Sequence, residues 1–330
     1  MITVIVPVYN AAQTLSACVA ALQTQTFADW EAIFVNDGSV DQSEQLLQSF
    51  AAADPRIRVL SQDNAGPAAA RNAALQHAKG EWITFVDADD GIPAHYLEQL
   101  NAASRVEHCA LVVCDVRRII GNAVSAHHHN TAGVYSAAEY AAAVLARQID
   151  YLTAHGAVAK MYRTDLLRQT GLQMDCRFRR GEDAIFSRRY AAMLPVDAVV
   201  SVTDAVWYDY YEQQSSLTTH YLDTIPASQG ELARAAQALY AKTGHNPALQ
   251  GTLDLEQYIN FTWTVQTLQA AALPFGRTVA QLQAILKEEI ITPEQLMRVK
   301  GGGRAWQLLA WLLRRRSAVG FWFWLKLRNL

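Results

Sequence analysis

Residues 83–90 read Ile-Thr-Phe-Val-Asp-Ala-Asp-Asp, a short apolar run that ends in three carboxylates within four positions. A strand can be this apolar only where layers cover both of its faces. Carboxylates crowded at its end cannot all stay charged without a counter-ion. In open α/β sheets, ligands bind outside the carboxyl ends of the strands. Asp87 and Asp89 alternate about Ala88, so extended backbone would point both the same way. Oxygen-only ligands suit a hard divalent cation, Mn²⁺ or Mg²⁺, which in turn holds phosphates. A helix N-terminus before Ile92-Pro93 accounts for the same acids without any metal.

The segments before this run alternate in type. Residues 2–6 form a β-branched strand stopped by Pro7, and Leu15, Cys18, Val19 and Leu22 recur with helical spacing. A second strand over 31–35 leads into the polar turn Asn36-Asp37-Gly38-Ser39, followed by a helix through Leu46, Leu47 and Phe50. A third strand covers 57–60, and Gly66-Pro67 opens an Ala-rich helix that Gly80 ends. Strands and helices alternating at these lengths predict right-handed βαβ units, an α/β fold and a mainly parallel sheet. No GxGxxG turn, P-loop or GxSxG elbow occurs, which weakens dinucleotide-dependent oxidoreductase, NTPase and hydrolase readings.

Four short blocks then carry a resemblance. VIVPVYN (4–10), FVNDGSVD (34–41), DNAGPAAARN (63–72) and FVDADD (85–90) resemble, in order and spacing, the family 2 glycosyltransferases of the GT-A fold. KMYRTDLL (160–167), RRGEDAIFSRRY (179–190) and YYEQQSSLT (210–218) look like later blocks of its bacterial members. The similarity covers roughly the first two-thirds of the chain. It implies a GT-A, Rossmann-like nucleotide-diphospho-sugar transferase domain over 1–220. Residues 1–100 would hold the nucleotide-sugar and 101–220 the acceptor.

The resemblance also implies roles. Pro7 and Tyr9 would flank the uracil of a UDP-sugar, and Asp37 would accept a hydrogen bond from the base. A Tyr at a strand end offers a flat stacking face, although Asp37 equally suits a turn in Asn-Asp-Gly-Ser. Asn64 and Arg71 match donor-contacting positions. Arg71 lies in an apolar helix, where a buried guanidinium needs an anionic partner: phosphate, uracil oxygens or Asp87. Asp87 would meet the ribose or the metal, and Asp89 of this DXD motif would ligate the metal on the diphosphate. Asp90 would support or cap. Asp183 would be the base that deprotonates the acceptor and Glu182 its support, where a helix N-terminus also favours acids. Lys160, in an expected turn or helix start, would reach phosphates or pair with one of these acids. At Glu212 the family often has Arg, which puts that part of the diphosphate site in doubt; Ser216 keeps the pattern. His127, His128 and His129 read as a solvated loop.

Composition bounds the rest. The net charge of −3 conceals an asymmetry: from Gln295 onward there are eight Lys and Arg and no acid, leaving 20 basic against 31 acidic residues before it. An acidic body with a basic end suggests an end with its own partner. The cysteines, Cys18, Cys109, Cys114 and Cys176, follow no metal spacing and predict reduced core residues of a cytosolic protein. The chain opens on a strand, so no signal or transit segment is expected. No nucleic-acid partner is expected, and self-association stays open.

A helical region is expected over 221–300, with a capping box at Thr292-Pro293-Glu294-Gln295 and a break at Gly301–Gly303. Residues 304–330 are rich in Trp, Leu and Arg, the composition of an amphipathic helix lying on anionic lipid. A helix packed on the body or a subunit contact uses the same residues. The expected protein is thus an inverting, metal-dependent transferase using a UDP-sugar and a glycan or lipid-linked glycan acceptor, peripheral on the inner membrane. Alternatives are a polyprenyl-phosphate sugar transferase and a non-catalytic scaffold.

Overall fold

The computed structural model describes residues 1–121, 123–124, 129–212, 223–301 and 303–328. The chain divides into two compact units, Met1–Ser216 and Leu217–Leu330.

In the first unit, β1 (Ile2–Val8), α1 (Leu15–Gln23), β2 (Trp30–Asp37), α2 (Ser43–Ala53), β3 (Ile57–Gln62), α3 (Pro67–His77) and β4 (Trp82–Phe85) alternate as expected, and these four strands are parallel. Then come α4 (Tyr96–Ala103), β5 (Cys109–Ile120), β6 (Ala123–Val124), β7 (Gly133–Ser136), α5 (Ala137–Leu145) and α6 (Tyr151–His155). β8 (Lys160–Arg163), α7 (Thr164–Thr170), α8 (Glu182–Met193) and β9 (Val199–Glu212) complete the unit. The nine-stranded sheet runs β3-β2-β1-β4-β8-β5-β9-β7, with β6 paired to β5. β8 is antiparallel to both β4 and β5, and β7 to β9, whereas β5 and β9 form a long parallel pair broken by bulges.

Alternation along the strands makes two faces. Val4, Val6, Ala32 and Phe34 share a core with Leu15, Cys18, Val19 and Leu22 of α1 and Leu97 and Leu100 of α4. Ile5 lies beside Phe85 in register, and the Phe85 ring meets Tyr162 and Phe186 edge-on at 5.7 and 5.8 Å. With both faces covered, β1 and β2 are buried along nearly their whole length. β1 does not stop at Pro7 but continues to Val8, paired to β2. Proline is tolerated there because β4 pairs with β1 only as far as Ile5, so no ladder needs the missing N–H.

Two further expectations give way. β4 ends at Phe85, and the Asp90 N–H donates to the Asp87 carbonyl at 3.1 Å, so the acids sit on a turn. Their alternation about Ala88 therefore fixes no common direction. Cys18, Cys109 and Cys114 are buried, but Cys176 is exposed.

The second unit is helical: α9 (Ile225–Lys242), a 3-10 turn over Pro247–Leu249, α10 (Gln250–Ala270), α11 (Phe275–Glu288), α12 (Pro293–Lys300), α13 (Arg304–Arg315) and α14 (Ala318–Arg328). The capping box at Thr292 and Gln295 is present, with Pro293 as the first helical residue. The segment after the glycines is two helices, not one, because Arg316 takes a left-handed φ of 49°. Leu309, Leu312, Phe321, Trp324 and Leu325 pack with Phe261, Leu268 and Ile285 in one core. Those side chains are spent on folding.

A buried polar pair fixes the edge of β1. Thr3 Oγ1 donates to Glu31 at 2.8 Å and accepts from the Gly80 N–H at 2.9 Å. A Cβ on Gly80 would lie 2.6 Å from the Thr3 nitrogen. Gly80→Ala is expected to destabilise the chain by about 1–3 kcal/mol through this overpacking. Urea unfolding checks it, and an unchanged midpoint would refute the packing described.

Candidate active site

The loops that leave β1, β2, β3 and β4 converge at the carboxyl end of the parallel strands. Asn10 Oδ1 accepts the Val40 N–H at 2.9 Å and the Asn10 N–H donates to Ser39 Oγ at 3.0 Å, which ties the first two loops. Asn36 Oδ1 accepts the Ser39 N–H at 3.1 Å, so Asn36 and not Asp37 makes the side-chain turn. Gly38, at φ 69°, passes so near the third loop that a Cβ would lie 2.7 Å from the Asn64 nitrogen.

Asp37 is buried at the end of β2. Its Oδ1 accepts Gln62 Nε2 at 2.7 Å and the Ala65 N–H at 2.8 Å, and its Oδ2 accepts the Gly66 N–H at 2.8 Å. It thereby shapes the loop that carries Asn64, which is exposed. Pro7 is partly buried within β1, and Tyr9 just beyond it is 54% exposed. Pro7 and Asp37, in the last residues of β1 and β2, and Tyr9 and Asn64, in the loops that follow, thus lie at one end of the parallel strands.

The charged centre is a short distance along the same edge. Arg71, buried on α3, donates from Nη2 to Asp87 Oδ1 at 2.6 Å and has Nη1 3.8 Å from Glu182 Oε1. Its Nε is buried without a hydrogen-bond partner among the described residues. Burial works against its charge, but Asp87 and Glu182 outweigh it and raise the guanidinium's pKa. Arg71 therefore joins the acids after β4 to those that open α8, residues far apart in sequence.

Around it, burial and a neighbouring acid push carboxyls upward. Asp89 is raised by burial and Asp87. Asp90 is pushed up to about 8 by burial and Asp87, against hydrogen bonds from Tyr208 Oη at 2.7 Å and the Tyr211 N–H at 3.0 Å. Glu182 is pushed up to about 7 by burial and Asp183, against Arg71. Asp183, half-buried in the first turn of α8, is raised by burial against Arg71, and its Oδ1 accepts the Ala184 N–H at 2.8 Å.

Lys160 departs from expectation. It lies in β8, fully buried, and its Nζ donates to the carbonyls of Thr153 and Gly156, the latter at 2.6 Å. Burial brings it down to about 8, against Cys114 and, less strongly, Asp183. Its charge favours the ionised form of Asp183 through space; phosphate contact would require breaking both carbonyl bonds. Glu212 pairs with Arg118 on β5 at 2.8 Å, so its carboxylate is neutralised by a neighbouring strand. His129 Nδ1 donates to Asp115 Oδ2 at 2.9 Å, while His127, His128 and Ser216 lie outside the described residues.

Two residues escaped the sequence reading. Tyr208 Oη accepts the Asp87 N–H at 3.1 Å while donating to Asp90, so it sets the turn of the acids from 121 residues away. Asn72 holds the backbone of Met174 through both Nδ2 and Oδ1 and so fixes the approach to α8. A buried Asn beside Arg71 was the available signal for the second; nothing in WYDYYE singled out Tyr208.

The site suits a divalent cation in part. Among the described residues no group of three or more His, Cys, Asp and Glu is placed to hold a metal. Asp87 and Asp89 offer hard oxygen ligands whose mutual repulsion a cation relieves, and phosphate oxygens and water complete such a shell.

A pH dependence follows. Glu182 has a folded pKa of about 7, above its ordinary value of 4.5. Its contribution to stability is fully present below pH 4.5 and is lost as pH rises through about 7. Thermal melts in chelator are expected to show Glu182→Gln losing less stability than wild type across that window. Parallel curves would contradict the shift.

The chain has relatives in several bacteria. It is 29% identical to the uncharacterized glycosyltransferase EpsJ of Bacillus subtilis over 74% of this chain and 70% of that protein. It is 39% identical to the Escherichia coli UDP-Glc:alpha-D-GlcNAc-diphosphoundecaprenol beta-1,3-glucosyltransferase WfgD over 30% of this chain and 38% of that one. The aligned segment spans only 9% to 41% of several further curated relatives. Staphylococcus aureus TarS 1–349, solved in complex with UDP-GlcNAc, shares the fold. Its TM-score is 0.74 at 18% identity, covering 97% of this chain and 89% of that one. Residues 3–171, which include the loops and Arg71 just described, match Glycosyl transferase family 2, and the chain belongs to that family.

Proposed function

We propose that this protein transfers a sugar, with inversion, from a UDP-sugar to a hydroxyl of a growing cell-surface glycan: lipopolysaccharide, O-antigen, capsule or exopolysaccharide. The observation that carries the reading is the pairing of two acid groups through Arg71, one at Asp87 and Asp89, the other at Glu182 and Asp183. Donor and acceptor chemistry need separate carboxylates on separate elements, held at a fixed spacing.

Tyr9 and Pro7 flank the base, and Asp37 and Asn64 meet the nucleotide from the neighbouring loops. Asp183 takes the proton of the acceptor hydroxyl. The resulting oxygen attacks the anomeric carbon, the bond to the diphosphate oxygen breaks, and its electron pair leaves with UDP. The raised pKa of Asp183 makes it a stronger base than an exposed aspartate. Glu182 and Arg71 position it, and the charge of Lys160 favours its ionised form. When bound through Asp89 and Asp87, Mn²⁺ or Mg²⁺ would supply positive charge to the leaving diphosphate.

The names of the relatives agree in kind: TarS was solved with UDP-GlcNAc, and WfgD is described by UDP-Glc and a diphosphoundecaprenol acceptor. A lipid-linked glycan would place the work at the cytoplasmic side of the inner membrane. No described helix is long and apolar enough to cross a membrane, and the attachment in this reading is peripheral. A polyprenyl-phosphate acceptor is already anionic and needs no base, which the acids of α8 speak against.

UDP release from a panel of UDP-sugars, with Mn²⁺, Mg²⁺ or chelator, tests the reading. Asp183→Asn is expected to cost about two to four decades of turnover while UDP-sugar still binds. Asp89→Ala is expected to abolish metal-dependent donor binding. Full turnover in Asp183→Asn would overturn the base, and metal-independent binding would remove the cation.

A further inference from the structure

We propose that the outward faces of α13 and α14 dock on an anionic phospholipid bilayer. The proposal rests on the membrane reading above for its purpose, but its support is in the helical unit itself.

Each of the two helices has one apolar stripe in the core and a second one in water. On α13 the exposed residues Arg304, Leu308, Trp311 and Arg315 recur at helical spacing. On α14 Val319, Phe323, Lys326 and Leu327 do the same. Trp311 is 51% exposed, Phe323 56% and Leu327 84%. Leu309, Leu312, Phe321 and Trp324, on the other sides, already close the core, so the exposed residues are not needed to hold the fold. A folded chain rarely leaves Trp, Phe and Leu together on its surface without a partner.

On each helix a cation lies beside an aromatic ring. The rings of Phe275 and Trp322 lie 4.9 Å apart, and those of Trp322 and Phe323 lie 5.0 Å apart. Lys326 Nζ sits 5.6 Å from the Trp322 ring, and the Arg315 guanidinium 5.7 Å from that of Trp311. No Asp or Glu follows Glu294 in the sequence, so neither helix carries an acid.

Charge selects the occupant. Arg314 and Arg316 of this segment pair with Glu294 and Glu289 outside it. Arg304, Arg315 and Lys326, however, stand with the exposed aromatic and aliphatic residues on helices that carry no acid, a mixture complementary to phosphate headgroups above acyl chains. At 12 and 11 residues the helices are about 18 and 16 Å long at ~1.5 Å per residue. The hydrocarbon core is about 30 Å thick, so they lie on the bilayer and do not cross it.

The test uses the full chain without donor or acceptor, floated with phosphatidylcholine vesicles that contain or lack phosphatidylglycerol. Wild type is expected to float only with phosphatidylglycerol, less so in high salt. The double variant Trp311→Ser/Phe323→Ser is expected to lose on the order of tenfold in partitioning, with an unchanged circular dichroism spectrum. A second, Arg315→Gln/Lys326→Gln, should lose the salt-sensitive part. Wild type that stays in solution, or variants that float as well as it does, would overturn the proposal. So would a dimer in light scattering that the substitutions break, since a second copy would then cover this face. UDP-sugar binding by the same variants reports on the transferase reading separately and is expected to be unchanged.

Discussion

A single buried guanidinium organises the charged end of the sheet. Arg71 arises from α3, between β3 and β4, yet its two partners come from the turn after β4 and the start of α8. Burying it alone would be prohibitive, and so would crowding Asp87, Asp89, Glu182 and Asp183 without it. Each side of the balance requires the other. The consequence is a fixed spacing between two carboxylate groups that the chain makes more than 90 residues apart.

The two halves of the first unit solve different problems. The parallel strands β1, β2 and β4 bury both faces, and β3 closes the edge. All four deliver their loops to one end, where backbone and short polar side chains lock the loops together. β8 inserts antiparallel beside β4, and β5 and β9 run on beyond it through bulges. That extension lets Tyr208 reach Asp90 and the backbone of Asp87. The acids are thus held from both halves. Lys160 shows the cost of the arrangement: it is buried and uses its donors on carbonyls, leaving mainly its field to act on Asp183.

The second unit separates composition from role. Its last two helices have the residue content of a surface-seeking peptide, but their inward residues complete an ordinary helical core. What distinguishes them is the part left over, an apolar and basic stripe on each helix.

The sequence alone determined the alternation of β1 to β4 with their helices, the helical region after 221, the capping box at Thr292 and the family resemblance. These are local: spacing, turn residues and caps act within a few positions. It also singled out Asp87 and Asp89, because carboxylates at the end of an apolar run stand out, whereas Asp37, Arg71, Glu182 and Asp183 were pointed to by the family resemblance. Tertiary structure decided the rest. Pro7 stays in its strand because a neighbouring strand is short; Asp87 and Asp89 sit on a turn because β4 ends early; Glu212 is answered by Arg118 from another strand. Tyr208 could not be found by pattern, since its value lies in reaching 121 residues back. The physical reason is one of range: propensity and periodicity act along the chain, whereas the pairing of buried charges is settled by what the fold brings within a few ångströms.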